Sequence, residues 1–135
     1  GYHVGDYFRH WLEMGHKVPS PPKIFAVNWF RKDANGKFVW PGFGENMRVL
    51  QWIVARCAGH APETETPLGL MPEYEDLNWD GLDFGPDRYA QVTSIVADQW
   101  VRELKSHEEL FAKIGAKRPG ELAREFDRLA SHLMV

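Results

Sequence analysis

Only one cysteine, Cys57, is present in the 135 residues, so no disulfide can form within the chain and a reducing compartment suits it. Long apolar runs are missing too. None approaches the roughly 20 residues of a membrane-spanning helix, and residues 1–20 lack the basic and apolar regions of a secretory leader. A cytoplasmic location with no membrane partner is therefore expected. Charge of one sign is equally scarce: 16 Lys and Arg stand against 19 Asp and Glu, a net charge of −3. The signs are interspersed, so no field draws nucleic acid or an anionic bilayer. Disorder is excluded by a composition that is 44% hydrophobic and 26% charged. Aromatic residues, by contrast, are abundant at 13%, with six Trp and eight Phe. The opening Gly1-Tyr2-His3-Val4-Gly5 lacks an initiator Met, and a processed or trimmed chain is expected.

No internal repeat, low-complexity tract or domain boundary interrupts the sequence, which reads as a single segment, residues 1–135. Asp6 is placed to N-cap a short helix with Tyr7, Phe8, Trp11 and Leu12 on one stripe, closed by Gly15. Pro19-Ser20-Pro21-Pro22 is an extended connector that a helix excludes. The β-branched and aromatic run Ile24–Phe30 predicts a mostly buried strand. Asn35-Gly36 predicts a turn, and Lys37–Trp40 the returning arm of a hairpin. Asn46 is placed to cap a helix with Met47, Leu50, Ile53, Val54 and Cys57 facing inward.

Residues 59–86 hold four prolines and four glycines and read as loop, with an extended piece near Leu68–Met71. From Asp87 the pattern turns helical, with Tyr89, Val92, Ile95, Val96 and Trp100 on one stripe. Ser106-His107-Glu108-Glu109 predicts a capping box that opens a further helix. Pro119 suits the first turn of another, with Leu122, Phe126, Leu129 and Leu133 inward. The fold class expected is α+β: a β-hairpin and short strands with a helical C-terminal part.

The chemistry concentrates between Trp29 and Asn46. Phe30, Phe38 and Phe43 lie on the hairpin and the glycine-punctuated loop after it, followed at once by an amide side chain. Flat aromatic faces stack on any nucleobase, at roughly 1–3 kcal/mol per base, but stacking alone does not tell guanine from adenine. An Asn does. Its carbonyl accepts from guanine N1–H or N2–H₂ and its NH₂ donates to O6, while adenine reverses that edge. Each of these residues also has a plainer role open to it. Large aromatics, Trp29 and Trp40 included, fill cores, and Asn46 before an apolar stripe is a natural N-cap.

Residues 23–50, KIFAVNWFRKDANGKFVWPGFGENMRVL, closely resemble a signature of the GTP-dependent phosphoenolpyruvate carboxykinases. Residues 5–15, GDYFRHWLEMG, resemble the segment just upstream in that family, and Leu77-Asn78-Trp79 with Gly81-Leu82 its connector before the C-terminal helices. The resemblance spans the chain, is dense over residues 5–52 and thins to helix pattern after residue 87. It implies the C-terminal part of the nucleotide-binding lobe of a larger α/β enzyme. There Phe30, Phe38 and Phe43 cage guanine, Asn46 reads its edge and Trp29 neighbours the cage. It further implies a lyase that decarboxylates oxaloacetate and transfers the GTP γ-phosphoryl, giving phosphoenolpyruvate, CO2 and GDP in gluconeogenesis or anaplerosis. Mn2+ and Mg2+ would serve the intact enzyme from ligands outside this chain. A two-residue turn at Asn35-Gly36 would put Phe30 and Phe43 on one face of the hairpin and Phe38 on the other. All three can meet one base only if the turn is longer or bulged.

The phosphate-binding loop of that family is absent from the sequence. Its lone Gly-Lys pair, Gly36-Lys37, precedes Phe38 and lies in the predicted turn. His3, His10, His16, His60, His107 and His132 show no metal-ligand spacing. The isolated chain is thus expected to be inactive, to have the remainder of the parent enzyme as partner, and to self-associate through exposed apolar surface. A competing reading is a non-catalytic calcium-binding or interaction module. Asp76-x-Asn78-x-Asp80-Gly81-x₅-Asp87 has the oxygen-ligand spacing of an EF-hand loop, with Asp where a bidentate Glu is usual. Against it stand a proline-broken segment where the incoming helix belongs and Pro86 at the loop's end.

Overall fold

The computed structural model describes residues 1–133. In chain order they form α1 (Val4–Lys17), α2 (Asn46–Cys57), β1 (Thr64–Thr66), β2 (Gly69–Met71), α3 (Pro86–Thr93), α4 (Ala97–Ile114) and α5 (Gly120–Leu133), with three short 3₁₀ turns. The class is α+β, as the sequence predicts. β1 and β2 are antiparallel, Thr64 opposite Met71 and Thr66 opposite Gly69. No helix among the described residues is long and apolar enough to cross a membrane. Contacts divide the chain into two compact units. One is Lys23–Ser94; the other joins Gly1–Pro22 to Ile95–Val135, of which residues up to 133 are described.

The Lys23–Ser94 unit is built on aromatics. Trp40, Trp52, Leu77, Phe84 and Tyr89 are buried together, with Phe25, Trp29, Tyr74 and Trp79 packed against them. Trp79 stacks on Phe84 at 5.2 Å and on Tyr74 at 5.0 Å, and the edge of Trp40 meets Phe84 at 5.4 Å. The polar edges of four of these rings are satisfied by backbone carbonyls, since a buried donor needs an acceptor. The Trp52 and Trp79 indoles donate to the carbonyls of Pro62 and Tyr74, and the Tyr74 and Tyr89 hydroxyls to those of Phe84 and Pro72.

Burial, reinforced by the negative charges of Glu73, Asp76 and Glu75, pushes the Tyr89 phenol up to about 12. The unfolded phenol ionises near pH 10, so folding keeps the neutral form. Stability from this group is complete below about pH 10 and is lost as pH rises toward about 12. Alkaline melts of the chain and of Tyr89→Phe should therefore diverge in that window, with the variant falling less steeply. Parallel curves would refute the assignment.

Several predicted elements are recast. Ile24–Phe30 is not a strand: only Phe25 and Trp29 turn inward, while Ile24 (92% exposed), Val27 and Phe30 face water. A strand needs a partner's hydrogen bonds, and among the described residues this segment has none on either edge. The hairpin shrinks to one antiparallel bridge, Lys32 to Phe38. On α2 the inward face is Val49, Trp52 and Ile53, whereas Met47, Leu50, Val54 and Cys57 are exposed. The larger apolar area of Trp52 decides which face is buried.

The predicted stripe from Tyr89 to Trp100 is also broken, because α3 stops at Thr93. The Thr93 hydroxyl bonds back to the Tyr89 carbonyl, and Arg31 donates to the carbonyls of Val92 and Ser94 and to the Ser94 hydroxyl, occupying the helix end. Tyr89 and Val92 then belong to the aromatic core, and Ile95 and Trp100 to the other unit.

That unit's core is Leu104, Ala130 and Leu133, with Ile95, Trp100, Phe126 and Leu129 packed on it. Phe126, Leu129 and Leu133 lie inward as the α5 stripe predicts. Ser106 opens no helix, since α4 is already running from Ala97 and a capping box acts only at a first turn. In α1 the N-cap is His3, whose Nδ1 accepts from the Gly5 N–H at 3.0 Å, and Gly15 lies inside the helix. Asp6 instead pairs with Lys117 at 2.7 Å and Arg9 at 3.1 Å. The Lys117 hydrogen bond, aided by both positive charges, holds its carboxyl below the usual range.

Candidate functional site

The segment from Trp29 to Asn46 is a loop fastened at intervals. Asp33 folds the chain back, its carboxylate accepting the N–H groups of Asn35 and Lys37 at 2.9 Å each. Gly36, at φ 77°, supplies the left-handed residue of the turn. Between the bridge partners Lys32 and Phe38 lie residues 33–37, so the turn is longer than two residues. That shift decides the faces. Phe30 stands two residues before Lys32, which pairs with Phe38, so Phe30, Lys32 and Phe38 share a side. The Phe30 and Phe38 rings meet edge-on at 6.0 Å, with the Lys32 ammonium 5.3 Å from the Phe38 centroid.

These rings face water: Phe30 is 71% exposed and Phe38 49%. Phe43 is 95% exposed and touches no other aromatic ring among the described residues. Gly42 precedes it at φ 99°, a conformation closed to residues with a Cβ, and turns the chain outward. Phe43 opens a 3₁₀ turn, Phe43–Glu45, and the Asn46 N–H closes it on the Phe43 carbonyl. Phe43 and Asn46 are thus joined through backbone, with the Phe43 ring in water and the Asn46 side chain turned to the buried Trp40 indole. Trp29 is half-buried and lies 5.9 Å from Trp40. Of the five predicted residues, Phe30 and Phe38 are in ring contact, Phe43 is joined to Asn46 only by a backbone hydrogen bond, and Trp29 packs on the aromatic core.

Asn46 is not the N-cap of α2. It is the first helical residue, Glu45 holds the cap position, and no side chain caps the end. Its carbonyl oxygen instead accepts the Trp40 indole N–H at 2.7 Å. From sequence alone Trp40 reads as a core residue. The available signal was general: a buried indole N–H needs an acceptor, and few side-chain acceptors lie nearby in sequence.

The calcium reading finds no support. The loop from Asp76 to Asp87 follows a three-residue 3₁₀ turn rather than a helix. The Asp76 carboxylate accepts from the Glu73 N–H, and the Asn78 side-chain oxygen from the Asp80 N–H. Arg48 already puts a guanidinium on the Asn78 and Asp80 backbone carbonyls, at 2.5 and 2.9 Å. Among the described residues no three His, Cys, Asp or Glu side chains converge on a metal position.

The family model described as "Phosphoenolpyruvate carboxykinase C-terminal P-loop domain" matches residues 1–132. The chain belongs to the GTP-dependent phosphoenolpyruvate carboxykinase family. Among its curated relatives, a phosphoenolpyruvate carboxykinase [GTP] of Anaeromyxobacter dehalogenans is 50% identical over 129 residues, which is 96% of this chain and 22% of the relative. Those of Paenarthrobacter aurescens and Renibacterium salmoninarum are 43% and 41% identical over 135 residues, 98% of this chain and again 22% of each relative. The chain therefore spans about a fifth of the length of these carboxykinases. The P-loop in the family description has no counterpart among the described residues, where Gly36-Lys37 lies in the 33–37 turn and the next α-helix begins only at Asn46.

Proposed function

We propose that this chain is the guanine-binding part of a GTP-dependent phosphoenolpyruvate carboxykinase. The whole enzyme would convert oxaloacetate and GTP to phosphoenolpyruvate, CO2 and GDP, serving gluconeogenesis or anaplerosis in the cytoplasm. The observation that carries this reading is the exposure of Phe30, Phe38 and Phe43, three aromatic rings left in water, on the same segment as an Asn that caps no helix. Large aromatics left in solvent are costly unless something covers them. A purine offers the flat face that fits, and the Asn46 amide offers the edge contact that tells one purine from another. No group of metal ligands gathers among the described residues. Mn2+ and Mg2+, the phosphate contacts and the substrate-binding cations would then come from the remainder of the parent enzyme.

The test is binding of GDP and ADP by the chain and its variants, followed by calorimetry or NMR titration. Phe30→Ala should weaken both nucleotides alike, by roughly 1–3 kcal/mol for a lost stacking face. Asn46→Ala should instead narrow the gap between them, by about 1–3 kcal/mol for the unpaired polar edge. In the parent enzyme the same change should erode the guanine preference more than it slows turnover. Discrimination unchanged in Asn46→Ala would sink the role given to Asn46.

The exposed stripe of Met47, Leu50 and Val54 on α2, together with the exposed Ile24, supports a second expectation. Apart from the rest of the enzyme, the chain should self-associate. A monodisperse monomer in light scattering would count against it.

A further inference from the structure

We propose that Trp40 is a positioning residue for base recognition, fixing which end of the Asn46 amide faces the nucleotide; this rests on the guanine-site reading above. An Asn side chain is nearly symmetric in shape, and its oxygen and nitrogen exchange places by rotation about one bond. Only a partner of fixed polarity removes the ambiguity. The indole N–H donates and never accepts, and it lies 2.7 Å from the Asn46 oxygen. That oxygen is thus bound to Trp40, and the NH₂ is left on the opposite side, with no hydrogen bond inside the chain among the described residues.

The indole is itself immobile. Trp40 is 5% exposed, wedged edge-on against Phe84 at 5.4 Å and Trp79 at 6.4 Å, with Trp29 tilted over it at 5.9 Å. Turning the ring would mean displacing three other rings. The hydrogen bond therefore transmits the rigidity of the aromatic core to one amide at the surface. An outward NH₂ donates to a 6-oxo group and meets a 6-amino group donor to donor, so the locked orientation favours guanine and disfavours adenine. Without the Trp40 N–H, the amide could rotate to offer its oxygen to the adenine amino group, and the preference would shrink from both sides.

The decisive comparison keeps the Trp40 ring and removes only its proton. GDP and ADP affinities would be measured by NMR titration for the chain, for Trp40→Phe, and for the chain with 3-benzothienylalanine at position 40, a sulfur isostere of Trp without the N–H. Phe30→Ala and Asn46→Ala serve as references, and thermal melts confirm folding. Both position-40 changes are expected to reduce the GDP-to-ADP affinity ratio about five- to tenfold, the effect of one hydrogen bond. Phe30→Ala should lower both affinities and leave the ratio intact. A core-packing role alone would not move the ratio in the isostere, and should Trp40→Phe fail to fold, the isostere decides.

An unchanged ratio in the isostere, with a collapsed ratio in Asn46→Ala, overturns the role of Trp40 and leaves the base site standing. If the chain binds neither nucleotide, or neither reference variant alters binding, the base-site reading falls and the positioning role falls with it. In the free chain, Asn46→Ala should also shift the Trp40 indole proton resonance upfield, and no shift would mean the bond is not made.

Discussion

Phe84→Ala is expected to be the most damaging single change in the Lys23–Ser94 unit, costing about 3–5 kcal/mol. Phe84 is 2% exposed, the largest fully buried side chain among the described residues. Its ring stacks on Trp79, takes the edge of Trp40 and lies 5.2 Å beneath the Arg88 guanidinium. Removing it forfeits the transfer energy of an aromatic ring and leaves a cavity walled by indoles too broad to collapse inward. Set against the roughly 5–15 kcal/mol that stabilises an ordinary domain, the loss is a large part of the whole. Urea unfolding followed by Trp fluorescence should show the midpoint drop sharply. A shift no larger than that of an exposed substitution, such as Ile24→Ala, would mean the stack is not what holds this unit. The same variant also frees one side of Trp40, so its effect on base selectivity should follow that of Trp40→Phe.

Gly5→Ala should destabilise the other unit even though alanine is the better helix former. Gly5 is buried in the first turn of α1, and a Cβ there would stand 2.6 Å from the Lys117 carbonyl oxygen and 2.9 Å from the Lys117 Cβ. The propensity gain is at most about 1 kcal/mol. The clash is with backbone, which does not swing aside as a side-chain tip does, and overpacking of this kind typically costs about 1–3 kcal/mol. The clash wins. It also pries apart the segments joined by the Asp6–Lys117 pair. A thermal melt should drop by several degrees, whereas Gly15→Ala, with open space at its Cβ position, should hold or raise it. Equal behaviour of the two variants would refute the close approach.

The sequence was a good guide wherever a local rule acts alone. The α5 stripe, the glycine-rich loop after Trp40 and the helix from Asn46 follow from periodicity and turn chemistry, and the long signature over residues 23–50 identified the family. It misled where two readings compete for the same residues. Ile24–Phe30 has strand composition, yet a strand exists only with a partner, and composition does not supply one. On α2 both faces carry apolar residues, and Trp52 outweighs Met47 and Val54 only once the aromatic cluster is assembled. Asn46 has the sequence of an N-cap. Its release depends on Trp40, six residues earlier, arriving with an unsatisfied N–H, which is a tertiary fact. Histidine is not among the usual N-cap residues, so the sequence does not point to His3 as the cap of α1.

Arg31 carries a consequence beyond ending α3. Its three hydrogen bonds to Val92 and Ser94 anchor the residue after Phe30, while Trp29, the residue before it, is packed against the aromatic core. Phe30 is thus exposed in its ring and pinned in its backbone on both sides. Phe43 differs: glycines flank it, one of them in a conformation that only glycine tolerates. On the reading proposed above, one wall of the stack is preorganised and gives up little conformational entropy when a base arrives. The other has its backbone held in the 3₁₀ turn but a ring that nothing in the chain packs, so its side-chain freedom must be given up when a base arrives. Trimming the Phe43 ring should then change the rates of exchange more than the identity of the base that is held.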